Sequence, residues 1–307
     1  MTSESNAVPD LRDDSERITP AAMSATRPMY WSVRRELWEN RSIYLAPLVV
    51  AAVFLFGFMI STIHLPQRLR AALALDPMQQ HKLIEQPYAI AALVIMGTTF
   101  LVAVFYCLDA LHGERRDRSI LFWKSLPVSD LITVVSKASI PLLVLPLLTF
   151  AITVVTQFIM LLLSTVVLLG SGLSVSTLWS HVSLFQMSLA LFYHLLVVHG
   201  LWYAPIFGWL LLVSAWARRA VFLWAALPPL AIGVVEKIAF NTSHFAAMLG
   251  NLFSGGAAGA ASTGDSMSMG ALTAGHPLSA PSFWVGLAFA AACLAAAVRL
   301  RRNREPI

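Results

Sequence analysis

The sequence predicts an all-α integral membrane protein: six transmembrane helices preceded by an amphipathic interfacial helix. Three observations carry this expectation. Apolar residues make up 58% of the chain and charged residues 12%, against roughly 45–50% and about 25% in a soluble domain. The apolar residues gather in runs long enough to cross a bilayer core of about 30 Å, which takes about 20 helical residues. The Lys and Arg residues, finally, collect between alternate runs instead of spreading evenly. The first two observations exclude an ordinary soluble enzyme. The third explains the net charge of +5 by topology, without a nucleic-acid partner.

Residues 1–27 mix both charge signs, contain Pro9 and Pro20 and lack the apolar core of a secretory signal, so they read as a disordered cytosolic tail. Residues 28–42 form the amphipathic helix. Tyr30, Trp31, Val33, Leu37 and Trp38 share one helical arc, with Ser32, Arg35, Glu36, Glu39 and Asn40 opposite, the pattern of a helix lying in the membrane interface. Arg34 and Arg41 fall within the apolar arc and have to snorkel.

The membrane domain is expected over 43–302. The first span, 43–63, is bounded by Arg41 and by His64-Leu65-Pro66, and the second, 88–111, runs from the Gln86-Pro87 break to a charged segment. Between them, 65–86 has the composition of a short external helix that Asp76-Pro77 interrupts. The third span, 138–169, follows a lead-in that Ser129 and Asp130 can cap, and its Pro141 and Pro146 predict a bend. The stretch 182–217 is too long for one perpendicular span, yet its part after Pro205 is too short to cross alone. It is expected to be one broken helix with Gly200, Pro205 and Gly208 as the hinge. The fifth span, 221–240, contains Pro228-Pro229, and the sixth, 283–298, ends in four arginines. Ser254–Ser282 is a Gly, Ala and Ser rich outer loop, and 303–307 a cytosolic tail.

With the N-terminus inside, all but four of the 21 Lys and Arg lie on the cytosolic face. The exceptions are Arg68, Arg70, Lys82 and Lys237. This positive-inside bias places both termini in the cytosol and suits a bacterial cytoplasmic (inner) membrane. Cys107 and Cys293 each sit within an apolar run, so no disulfide framework is expected.

Few residues offer chemistry. The phosphate-cradling Gly-x-x-x-x-Gly-Lys-Ser/Thr does not occur, nor does His-Glu-x-x-His, so neither ATP hydrolysis by the chain alone nor a zinc protease of that type is expected. His194 and His199 lie about 140° apart on a helix and cannot chelate one metal without outside ligands, so no metal site and no cofactor is expected. Ionisable groups inside spans are functional candidates because burying them is costly. Asp109, in the last turn of the second span, is either a point on a substrate or proton path or an interfacial carboxylate paired with Arg115 or Arg116. Glu236 is either a substrate contact or a structural group.

The most informative segment is His112–Asp130. Glu114, Arg115, Arg116, Asp117 and Arg118 stand next to Ile120, Leu121, Phe122 and Trp123, a combination suited to docking on another protein, though a stop-transfer loop with an aromatic anchor has the same composition. The run from Tyr106 through Gly113-Glu-Arg-Arg-Asp-x-Ser-Ile-Leu-Phe-Trp-Lys-Ser-Leu-Pro-Val-Ser129, followed by the third span, resembles the membrane subunits of ABC type-2 exporters. The amphipathic Trp31–Arg41 helix, the Leu201–Pro205 break with Ser214–Arg219, and the six-span count extend the resemblance over nearly the whole chain.

The resemblance implies a permease subunit with no catalytic residues and no nucleotide site of its own. It would form a homo- or heterodimer with a second permease subunit and work with separate ATPase subunits that bind ATP and Mg. Glu114–Trp123 would meet the ATPase, and the amphipathic helix would lie along the cytosolic leaflet. A proton-coupled secondary transporter using Asp109 or Glu236 is the alternative from a different class. Against it, the spans show no obvious inverted repeat and few carboxylates.

Overall fold

The computed structural model describes residues 26–73, 76–117, 129–172, 179, 183–253 and 281–303. The described residues are almost entirely helical and include no strand, and six helices are long and apolar enough to cross a membrane. The protein is therefore an all-α membrane protein, as its hydropathy predicts. Of the expected tails, Thr26, Arg27 and Asn303 belong to helices; the rest of the tails and most of the Gly/Ala/Ser loop lie outside the described residues, as do Arg118, Phe122 and Trp123.

Helix α1 (Thr26–Glu39) leads into α2 (Ser42–Ser61), the first span. A short 3-10 turn, Thr62–His64, continues it into α3 (Leu65–Leu73). The second span is longer than the hydropathy suggests, because α4 covers Pro77–Ala110. Pro77 opens this helix at its first position, where the missing N–H costs nothing, and Pro87 lies inside it without ending it. After Leu111 comes α5 (His112–Arg116).

The third span begins at α6 (Asp130–Ser139), whose Ser129 cap accepts a hydrogen bond from the Ile132 amide at 3.3 Å. A π-helical turn, Ile140–Val144, then joins it to α7 (Leu145–Gly170). The widened turn accommodates Pro141 and Pro146 within a continuous helix. The expected broken helix is present as α8 (Leu184–His194), a second π-helical stretch Leu195–Trp202, a break at Tyr203, and α9 (Ala204–Trp216).

The two π-helical stretches pack on each other. A Cβ on Gly200 would stand 2.7 Å from the Leu142 carbonyl oxygen, so only glycine permits this approach. In α register that oxygen would bond the N–H that Pro146 lacks. Gly208 plays the same part toward the last helix, α12 (Pro281–Asn303), where its Cβ would lie 3.1 Å from the Ala290 Cα. Among the described residues, α9 and α12 are the most intimately packed pair of helices, which small residues at the contact permit.

The fifth span, α10 (Val221–Phe240), is peripheral, with Ala225 its one buried residue. Pro229 leaves the Ala225 carbonyl without its helical donor, and Trp209 Nε1 supplies one at 3.0 Å. Asn241 turns the chain in a left-handed conformation (φ 51°), which asparagine tolerates. The next helix, α11 (His244–Phe253), folds back along α10, with Phe245 against Gly233. It ends at the break in the fourth span, where Trp202 Nε1 and Tyr203 Oη donate to the Leu252 and Phe253 carbonyls, both at 3.0 Å. These donors satisfy carbonyls that a helix C-terminus leaves open.

Candidate functional site

Polar side chains concentrate where α1, α5, α6 and the end of α12 meet, at the end of the bundle that carries the clustered arginines. Glu36 is 1% exposed and Glu114 8%; carboxylates so deeply buried require partners. Glu36 Oε1 receives Lys137 Nζ at 2.8 Å and Arg35 Nη2 at 2.9 Å, while its Oε2 accepts from Tyr106 Oη at 2.9 Å. Glu114 Oε1 lies 3.2 Å from Lys137 Nζ and accepts from Arg35 Nη2 at 3.1 Å. Its Oε2 is bonded by Arg301, whose Nε in turn reaches Asp130 Oδ1 at 3.0 Å.

Three carboxylates thus meet three cations in one cluster, and the exposed Glu39 pairs with Arg35 at its rim, at 3.3 Å. It joins the amphipathic helix to the exit of the second span, the start of the third and the end of the sixth. Mutual neutralisation is what permits the burial, since a charge left alone there would face a penalty of several kcal/mol.

Arg115, the neighbour of Glu114, binds elsewhere. It is 5% exposed and donates to the Ser214 and Ala217 carbonyls at 2.9 and 2.5 Å, closing the C-terminal end of α9, where a cation also suits the helix dipole. Ser214 completes the joint. Its hydroxyl donates to the Leu108 carbonyl at 2.8 Å and accepts from the Leu111 and His112 amides at 3.1 and 2.9 Å. Ser214→Ala should strand those two amides and cost about 1–3 kcal/mol, measurable as a lower unfolding temperature of the purified protein in detergent.

The expected contact segment therefore divides in two. Glu114 and Arg115 face inward and hold the bundle together. Arg116 and Asp117 are exposed and pair with each other at 3.1 Å. Arg118, Phe122 and Trp123 lie outside the described residues.

On α1 the apolar arc divides: Val33 and Leu37 pack on the core beside the buried Glu36, while Tyr30, Trp31 and Trp38 face away, all at least 60% exposed. Arg34 needs no long snorkel, because its guanidinium sits 5.2 Å from the ring centres of both Trp31 and Trp38, a favourable cation–π arrangement.

The hinge residues Gly200, Pro205 and Gly208 surround the break, all buried. His199, one turn before it, is packed edge-on against Phe100 and Tyr203, and neither of its ring nitrogens has a hydrogen-bond partner.

The two carboxylates on the expected path do not come together. Asp109 is exposed beside Gly113, in the electrostatic neighbourhood of Arg116. Glu236 accepts from Thr242 Oγ1 at 2.9 Å and from the His244 and Phe245 amides at 2.7 and 2.8 Å. It caps α11, where a carboxylate satisfies open amides. Among the described residues no group of three His, Cys, Asp or Glu side chains could hold a metal ion.

No family model, curated protein or solved structure matches this chain.

Proposed function

We propose that the chain is the membrane-spanning permease subunit of an ATP-driven exporter, working as a dimer in a bacterial cytoplasmic membrane with both termini in the cytosol. A separate subunit binds and hydrolyses ATP. The observation that carries this reading is the buried charge cluster. It locks the amphipathic helix and α5 to spans two, three and six, so a push on either helix is delivered to three spans at once. Such a block is what a subunit driven from one side of the membrane needs, and the adjacent exposed Arg116 and Asp117 give a partner a charged surface to grip. The spacing of Glu114–Trp123 and its likeness to ABC type-2 exporters point the same way. The proton-coupled alternative has less support, because Asp109 faces outward and Glu236 is engaged as a helix cap.

The contact can be tested without disturbing the fold. Arg116 is exposed and Trp123 falls in the sequence between the second and third expected spans, whereas Arg115 is structural and its reversal would unfold the joint. Arg116→Glu and Trp123→Ala should each weaken pull-down of a P-loop ATPase encoded beside this gene. Loss of an aromatic anchor costs about 2 kcal/mol or more, roughly a thirtyfold drop in affinity. Both variants should still insert in the membrane, with cysteine labelling as the topology control for Arg116→Glu. Unchanged pull-down in both would reduce the segment to a topogenic element.

A further inference from the structure

At the end of the bundle opposite the charge cluster, a cavity of about 520 Å³ opens between the end of the first span, α3, the start of α4 and the end of α7. That volume lies within the range of about 300–1,000 Å³ typical of small-molecule sites. Its walls are mostly apolar, with Phe58, Leu65, Ile84 and Leu168 among them. The polar groups that line it are unevenly equipped. The Thr62 and Ser164 hydroxyls already donate to the Met59 and Met160 carbonyls at 2.6 and 2.9 Å, so they retain only acceptor capacity.

Four lining residues keep donors unspent: Ser61 and Gln86, and the two best suited to an anion, Arg68 and Tyr88. Arg68 reaches only Ser61 Oγ, at 3.3 Å, and forms no ion pair among the described residues. Tyr88, 2% exposed, brings its hydroxyl next to Ser164 without completing a hydrogen bond. A buried hydroxyl left in this state costs free energy, which a ligand acceptor would recover. An apolar chamber with an unpaired, exposed guanidinium at its mouth and an unmet hydroxyl donor in its wall selects a molecule with an apolar chain and an anionic, acceptor-rich head. Arginine is well matched to a phosphate or carboxylate of that kind.

We propose that this cavity binds a single-chain anionic amphiphile, its chain against Phe58, Ile84 and Leu168 and its head on Arg68 and Tyr88. The site stands independently of coupling to an ATPase. It lies away from the charge cluster, and its residues take no part in that network.

The test is binding by the purified full-length chain in dodecyl maltoside, followed by native mass spectrometry. The probe is oleoyl lysophosphatidylglycerol. Monooleoylglycerol supplies the chain without charge, glycerol 3-phosphate the head without a chain, and dioleoylphosphatidylglycerol the two-chain bilayer lipid. The lysophospholipid should bind more tightly than all three. Arg68→Gln should weaken it at least tenfold, as loss of a hydrogen bond to a charged group predicts, and leave monooleoylglycerol unaffected. Tyr88→Phe should weaken it by about two- to tenfold. Ala71→Trp, on the exposed rim of the cavity, should block both chain-bearing ligands without touching the core. Equal affinity of wild type and Arg68→Gln would overturn the proposal. So would equal binding of glycerol 3-phosphate, which would make this an ion site, or of dioleoylphosphatidylglycerol, which would make the occupant bulk lipid.

Discussion

Glu114→Ala is expected to cost about 3–5 kcal/mol, the range measured when one partner of a buried ion pair is removed, and so to abolish most of the folded protein. Glu114 is the node at which Arg35, Lys137 and Arg301 converge. Without it, Lys137 keeps Glu36 and Arg301 keeps only the partly exposed Asp130, leaving the buried cluster with an excess positive charge. The loss should be specific to imbalance and not to the absence of charge. A double variant, Glu114→Ala with Arg301→Met, restores neutrality and replaces a buried pair by apolar volume, a change that is often neutral. It should therefore recover much of the thermal stability that the single variant loses, as read by unfolding of the detergent-solubilised protein. A double variant as unstable as the single one would show that the cluster acts through particular contacts instead of through charge balance.

Gly200→Ala is the second large effect. One added methyl would sit 2.7 Å from the backbone oxygen of Leu142, and a backbone cannot rotate away as a side chain can. The two π-helical stretches must separate, at a cost of about 1–3 kcal/mol for overpacking, and the break at Tyr203 must shift with them. Gly97 supplies the control. It also lies within a span, but a Cβ there meets nothing within 4 Å, so Gly97→Ala should be neutral or slightly stabilising through its gain in helix propensity. A matched pair of melting curves distinguishes the two. Equal melting temperatures would mean that the close approach at Gly200 carries no constraint.

The spans were legible because hydropathy and length act locally: a run of about 20 apolar residues needs no information about its neighbours to declare itself. The break was legible for the same reason, since Gly200, Pro205 and Gly208 interrupt one continuous run. Proline was the weaker guide. Pro87 and Pro77 look alike as punctuation, yet one lies within α4 and the other begins it.

The charge cluster was much less legible. Lys137 and Arg301 read as topological charges, and Glu36 as part of a solvated arc, because their partners lie 101 and 187 residues away in the chain. One signal was available. Ala290, Cys293 and Ala297 form a stripe of small buried residues at helical spacing on α12, and the next position on that stripe is Arg301. A cation continuing a packed face differs from the arginines beside it. Glu236 gave no comparable signal, because its role depends on α11, a helix of 10 residues too short to stand out by hydropathy.

The proposed drive by a separate ATPase at the basic end of the chain is tested most directly by ATP turnover in proteoliposomes. The neighbouring P-loop ATPase would be assayed alone, with the wild-type chain, and with Arg116→Glu. The wild-type chain should form a stable complex and change turnover several-fold, and Arg116→Glu, though correctly inserted, should return turnover to the level of the ATPase alone. Turnover identical in all three preparations would contradict it.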